Sequence, residues 1–137
     1  MIELGINGLG RIGKSLLVQC LKEKNIKINA INFPNYNIHN IISYLTHDSI
    51  HKDILKKEDI QILDHTNIKI NSQVIKLLDS REPNKNMWSD YNVSYLFDTT
   101  GVFLDKEGAK KHNVNYFIMC APSKDDTKQF LYNGNHN

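Results

Sequence analysis

The stretch Ile2-Glu3-Leu4-Gly5-Ile6-Asn7-Gly8-Leu9-Gly10-Arg11-Ile12-Gly13 decides the fold. Its first half alternates apolar with other residues, the period of a strand, and its second half is a Gly-x-Gly-x-x-Gly turn. Beyond the turn, Ile12, Leu16 and Cys20 recur at four-residue spacing with Leu17 and Leu21 beside them, so one apolar stripe predicts a helix over 11–24. Between a strand and a helix each glycine has a physical purpose. Gly8 permits the tight turn, Gly10 presents no Cβ to an approaching pyrophosphate, and Gly13 lets helix and strand close up, while the first helical amides face the anion. A tight turn with no ligand is the competing reading of the same glycines.

Reading outward, Ile26–Asn32 alternates as a second strand that stops before Pro34, and Ile38, Ile41, Ile42 and Leu45 give a second helical stripe. Two parallel strands joined by a helix form a right-handed crossover unit. The middle differs in kind. Residues 59–63 and 67–71 are short strand-like runs around the turn-forming Asp64-His65-Thr66, and 73–78 adds a third run, a pattern of inserted antiparallel hairpins. Residues 93–97 form a strand ending in Asp98-Thr99-Thr100-Gly101; Asp105 caps a short helix to about Lys111, and 116–119 is expected to be another buried strand, ending at Cys120-Ala121-Pro122. The predicted fold is a single α/β domain over residues 1–137, Rossmann-type and doubly wound, with a mostly parallel sheet and an inserted antiparallel hairpin region. Ligands of such sheets bind at the carboxyl ends of the strands.

Composition narrows the function classes. Seventeen basic against fifteen acidic side chains leave a net charge of +2 in 137 residues, which argues against affinity for nucleic acid through a basic surface. No apolar run approaches the roughly 20 residues of a membrane span, and the amino terminus lacks the pattern of a secretion signal, so a cytoplasmic protein is expected. Cys20 and Cys120 match no metal spacing and read as free, buried thiols. His47 and His51 with Asp48 between them lack a third ligand, so no metal site is expected. Lys22, Lys24 and Lys27, and Lys52, Lys56 and Lys57, alternate with acids as a solvated surface does. Trp88, Tyr91 and Tyr95 read as packing residues.

Residues 6–13, Ile-Asn-Gly-Leu-Gly-Arg-Ile-Gly, resemble the opening of the glyceraldehyde-3-phosphate dehydrogenase family. The resemblance continues in order through Ala30-Ile31-Asn32-Phe33-Pro34, Thr46-His47-Asp48-Ser49-Ile50-His51, Arg81-Glu82-Pro83 with Trp88, Asp98-Thr99-Thr100-Gly101-Val102-Phe103, Cys120-Ala121-Pro122-Ser123 and Asn135-His136. It implies NAD as cofactor. By that resemblance Gly8, Gly10, Arg11 and Ile12 line the pyrophosphate, Asn32 and the residue at 33 meet the adenosine ribose, and Arg81 lies by the adenine. Thr99, Thr100 and Gly101 border adenine and ribose, and Cys120 and Ala121 approach the nicotinamide side.

Two departures from the family pattern shape the expectation. Position 33 holds phenylalanine where the fingerprint has a carboxylate for the ribose hydroxyls, a loss of about 1.5–3 kcal/mol or roughly 10- to 150-fold in affinity. Residues 34–40 contain no Lys or Arg to receive a 2′-phosphate instead, so NAD binding is expected to be weak or lost. The family's nucleophilic cysteine lies beyond the region resembled by 133–137, so no catalytic residue is expected here. The resemblance also implies a further strand and a covering helix outside this chain, leaving a sheet edge for a second copy or a protein partner. Three readings follow: a nucleotide-binding module without turnover, an interaction protein on a decayed scaffold, and one half of a split dehydrogenase.

Overall fold

Strand β1 (Ile2–Asn7) is an interior strand of a seven-stranded sheet, its residues buried from Leu4 to Asn7. The computed structural model describes residues 1–47 and 55–135. After β1 come α1 (Arg11–Lys22), β2 (Ile26–Asn32), α2 (Ile41–Thr46), β3 (Ile60–Ile62), β4 (Asn67–Ile70), β5 (Gln73–Leu78), β6 (Tyr95–Asp98), α3 (Lys106–Lys110) and β7 (Tyr116–Met119). The sheet order is β3-β4-β5-β2-β1-β6-β7. Strands β5, β2, β1, β6 and β7 run parallel, and β3 and β4 extend the sheet antiparallel. The chain winds from β1 outward through β2 to β5, then returns to the other side of β1 as β6 and β7. That reversal opens a crevice at the carboxyl ends of β1 and β6.

Most of the predicted elements stand, with corrections at particular residues. Helix α1 ends at Lys22, two residues before the sequence reading, because the Glu23 N–H turns back onto the Cys20 carbonyl. The strand expected from Val93 begins at Tyr95, since the Val93 N–H closes a turn onto the Trp88 carbonyl. The third run of the middle region is more than a hairpin arm. β5 pairs antiparallel with β4 on one edge and parallel with β2 on the other, so it is also the next strand of the parallel sheet. Asp105 caps α3 as its sequence position predicts, its Oδ1 accepting the Gly108 N–H at 2.7 Å.

Two clusters fill the faces of the sheet. One joins α1 and α2 to the strands through Leu17, Cys20, Ile31, Ile41, Leu45 and Ile75; the other gathers Ala30, Leu78, Val93 and Leu96 around Trp88. His112, in the α3–β7 link, is 2% exposed, and neither ring nitrogen has a partner among the described residues. Phe103 meets its ring edge-on at 4.5 Å and Phe117 lies at 4.9 Å. Burial pushes the imidazole below its ordinary pKa, against an opposing pull from the Asp98 carboxylate. The folded chain therefore favours neutral His112, while the unfolded chain takes up a proton as pH falls through about 6.5. Stability from this residue is complete above that value and is lost as pH drops toward the lower folded value. Replacing His112 by leucine is expected to raise stability by about 1 kcal/mol and to flatten this acid loss. Urea melts at pH 5 and 7.5 check it; an equal acid loss in both proteins contradicts it.

Candidate functional site: a cleft at the carboxyl ends of the strands

Three apolar strands end in polar residues. Asn32 closes β2, Asn7 closes β1 and Asp98 closes β6, each 2% exposed. The Asn32 amide donates to Asn7 Oδ1 and to the Ser80 carbonyl, both at 2.7 Å, and the Ser80 N–H donates to Asn32 Oδ1 at 3.0 Å. Asn7 in turn donates to Asp98 Oδ2 at 2.7 Å, while the Thr100 N–H and hydroxyl donate to Asp98 Oδ1 at 3.1 and 2.7 Å. These bonds run across the sheet as a polar ladder. A buried carboxylate is costly unless its oxygens are bonded, and both oxygens of Asp98 are.

The glycine loop rests on this ladder. Gly8, at φ +94°, donates its N–H to the Asn32 carbonyl at 2.9 Å. The Thr99 hydroxyl lies 3.1 Å from the Asn7 carbonyl and 2.9 Å from that of Gly8, so Thr99 holds the loop from below. A Cβ on Gly13 would stand 2.2 Å from the Gly8 carbonyl oxygen, which is why only glycine lets α1 pack this close to β1. Gly10 differs: a Cβ there meets nothing within 4 Å. Gly10 is also the N-cap of α1 and offers no side-chain cap, with the first helical bond running from the Lys14 N–H to the Gly10 carbonyl. The amides of Gly10, Arg11, Ile12 and Gly13 precede that bond and have no acceptor within the helix; of these four residues Gly10, Arg11 and Ile12 are exposed and Gly13 is buried.

Phe33 forms a wall beside the loop. Its ring stacks on Tyr44 of α2 at 4.8 Å and 29°, the Tyr44 hydroxyl donates to the Leu9 carbonyl at 2.5 Å, and Lys14 Nζ sits 4.5 Å from the Tyr44 ring centre. Where the fingerprint has a ribose-binding carboxylate, this chain has an aromatic brace between α2 and the glycine loop. A cavity of about 470 Å³ runs from Gly8 and Leu9 past Phe33 and Pro34 to Arg81, Pro83 and Asn86, with Thr100, Val102 and Phe103 on its other wall.

The cavity brings together Gly8, Asn32, Phe33, Arg81 and Thr100 of the sequence-predicted residues. Gly10, Arg11, Ile12 and Gly13 form the adjoining helix entrance, and Gly101, at φ +70°, faces open space. Cys120 and Ala121 line a separate cavity of about 480 Å³ beyond β7, together with Phe130 and Leu131. Burial first, then Asp98, pushes the Cys120 thiol up; burial and Glu23 do the same to Cys20 on α1. Both are protonated, weak nucleophiles near neutral pH. Of the His47, Asp48 and His51 set, Asp48 and His51 lie outside the described residues, as do Lys52 and His136. Among the described residues no group of three or more His, Cys, Asp or Glu could hold a metal, and no helix is long and apolar enough to cross a membrane.

Sequence reasoning missed the ladder, the Tyr44 brace and Asn86. The ladder had a signal: Asn7, Asn32 and Asp98 are polar residues at the same end of otherwise apolar strands.

Comparison with known proteins agrees with this geometry. Residues 2–106 match the family described as glyceraldehyde 3-phosphate dehydrogenase, NAD binding domain. Similar proteins include the glyceraldehyde-3-phosphate dehydrogenase of Buchnera aphidicola, 34% identical over 98% of this chain and 40% of its own, and that of Hypocrea atroviridis, with the same identity and coverage. The cytosolic enzyme of Taxus baccata is 30% identical over 90% of this chain and 37% of its own. The chain spans about 40% of the length of the curated relatives it matches.

Proposed function

The chain belongs to the glyceraldehyde-3-phosphate dehydrogenase family through its NAD binding domain, and on that premise we propose that its glycine loop and cleft bind NAD weakly, without aldehyde oxidation by these 137 residues alone. The observation that carries the reading is the uncapped start of α1 at the exposed Gly10, where an added Cβ would meet nothing within 4 Å and the first-turn amides lack an acceptor within the helix. The residues suit a dinucleotide in part. Gly8, Gly10, Arg11 and Ile12 would receive the pyrophosphate, and the slot between Phe33, Pro34, Val102 and Phe103, with Arg81 at its rim, suits a flat base. Thr100 and Gly101 would border the ribose, and Cys120 and Ala121 would lie toward the nicotinamide. The ribose diol fares worst, since Phe33 cannot accept its hydrogen bonds and is fixed against Tyr44.

Titration calorimetry with NAD is the test. The expected dissociation constant is weaker than about 10 µM, and Phe33→Asp should tighten it roughly 10- to 150-fold. Low-micromolar or tighter binding by the unaltered chain overturns the weak-binding reading. No heat from either protein at millimolar NAD overturns nucleotide binding itself and favours an interaction protein on a decayed scaffold.

Inactivity of the chain alone is supported by its thiols, both pushed toward the protonated form by burial. Acyl chemistry needs a thiolate with a base beside it. A cytosolic setting accords with the two free cysteines and with the cytosolic relatives from Taxus baccata and Ginkgo biloba. One further observation favours association. β7 ends the sheet, and on its open face Tyr116 is 55% exposed while stacked on Tyr95 at 4.5 Å, with Ile118 exposed beside it. We infer that this edge pairs with a second copy or with a polypeptide completing the dehydrogenase. Sedimentation velocity is expected to show a concentration-dependent dimer that Ile118→Lys abolishes; a monomer throughout the micromolar range overturns self-association.

A further inference from the structure

Most polar groups facing the cleft are already engaged. Both ends of the Asn7 and Asn32 amides are bonded within the ladder, and Asp98 is bonded through both oxygens. The His112 nitrogens are sealed from the cavity. Asn86 is different. It follows the short 3-10 turn Pro83–Lys85, its backbone N–H is spent on the Pro83 carbonyl, and the residue is only 3% exposed. Among the described residues its carboxamide has no hydrogen-bond partner, yet its polar atoms are not among those sealed from solvent. Asn86 lines this cleft and also the neighbouring cavity along Asp79, Glu82 and Lys85. Its two unengaged functions, one donor and one acceptor side by side, are available to a ligand that supplies the complement.

We propose that Asn86 reads the edge of the adenine base in this cleft and makes the site selective for the 6-amino group. This rests on the nucleotide-binding reading above. The slot's walls are apolar rings and branched side chains, among them Phe33, Pro34, Val102 and Phe103, which hold a flat ring without identifying it. Adenine presents an N–H donor at its 6-amino group beside a ring-nitrogen acceptor, the pattern a side-chain amide matches with two hydrogen bonds. At that end the Ser80 hydroxyl is engaged with the Glu82 backbone, and Arg81 has donors only and cannot accept from the amine. Asn86 therefore carries the base selectivity, and the ladder and the glycine loop carry the shape of the site and the anion.

The experiment compares, by calorimetry on the full chain, NAD with the dinucleotide analogue bearing hydrogen in place of the 6-amino group. The same pair is measured for Asn86→Leu and Asn86→Ala, two variants so that one folding failure does not end the test. NAD is expected to bind the unaltered chain about 10-fold more tightly than the analogue, and either variant should bring the two ligands level by weakening NAD alone. Equal affinities in the unaltered chain overturn the proposal and leave the nucleotide-binding reading standing. A preference that survives both substitutions overturns the assignment to Asn86. Binding of neither ligand overturns the nucleotide reading and the proposal with it.

Discussion

Replacing Gly13 by alanine is expected to destabilise the fold by about 3 kcal/mol, lowering the melting temperature by roughly 10 °C, while the same change at Gly10 leaves stability within about 1 kcal/mol. The two glycines share a motif but not a reason. At Gly13 a methyl group would stand 2.2 Å from the Gly8 carbonyl oxygen and 2.9 Å from Thr99 Oγ1, so α1 must move off β1 or the loop must deform. Neither neighbour gives way cheaply. The obstacle is backbone, and Thr99 is itself bonded to the Asn7 and Gly8 carbonyls. At Gly10 the added methyl points into open space where the pyrophosphate would approach, so the loss there is at least 10-fold in NAD affinity. Thermal melts read the first effect and calorimetry the second. A Gly13→Ala protein that melts with the unaltered chain contradicts the packing argument, and full NAD affinity in Gly10→Ala contradicts the anion argument.

Asp98→Ala is expected to cost a similar amount, about 3 kcal/mol. The carboxylate accepts from the Asn7 amide and from the N–H and hydroxyl of Thr100; removing it strands the buried Asn7 donor and loosens the turn at the exposed Thr100. Hydrogen bonds to a charged partner are worth about 1.5–3 kcal/mol each where the partner cannot be replaced by water. Asp98→Asn should lose less, about 1–3 kcal/mol. Its amide keeps one acceptor but turns its own donor toward either Asn7 or Thr100, which are donors too. Urea denaturation of both variants measures the difference. An alanine variant within 1 kcal/mol of the unaltered chain would mean that the ladder is ornamental.

The parallel core was legible because its strands and α1 each carry one unambiguous period, and the strand–glycine–helix junction at 7–11 admits few alternatives. The role of β5 was not legible, because alternation along Gln73–Leu78 says which side chains are buried but not whether the partner strand is parallel or antiparallel. Phe33 stands out in the sequence as an aromatic at the fingerprint's carboxylate position, yet its stacking on Tyr44 joins two segments that a linear reading cannot place together. Asn86 escaped for the opposite reason. An asparagine after a proline turn looks like any solvated loop residue, and only the fold shows that the turn tucks it under the cleft. Thr99, which the resemblance places beside the ligand, also holds up the glycine loop, a contact that no linear reading shows.

The rungs of the ladder join positions 7, 32, 80 and 98, so none of them exists until strands distant along the chain have come together. The amide protons of Gly8 and Ser80 are each tied directly to Asn32, one of its members. Their exchange with deuterated solvent should consequently proceed as a single cooperative unit, governed by global unfolding rather than by fraying of individual loops. The cleft is then among the last features to assemble and among the last to melt, and an intact cleft reports that the whole sheet has formed.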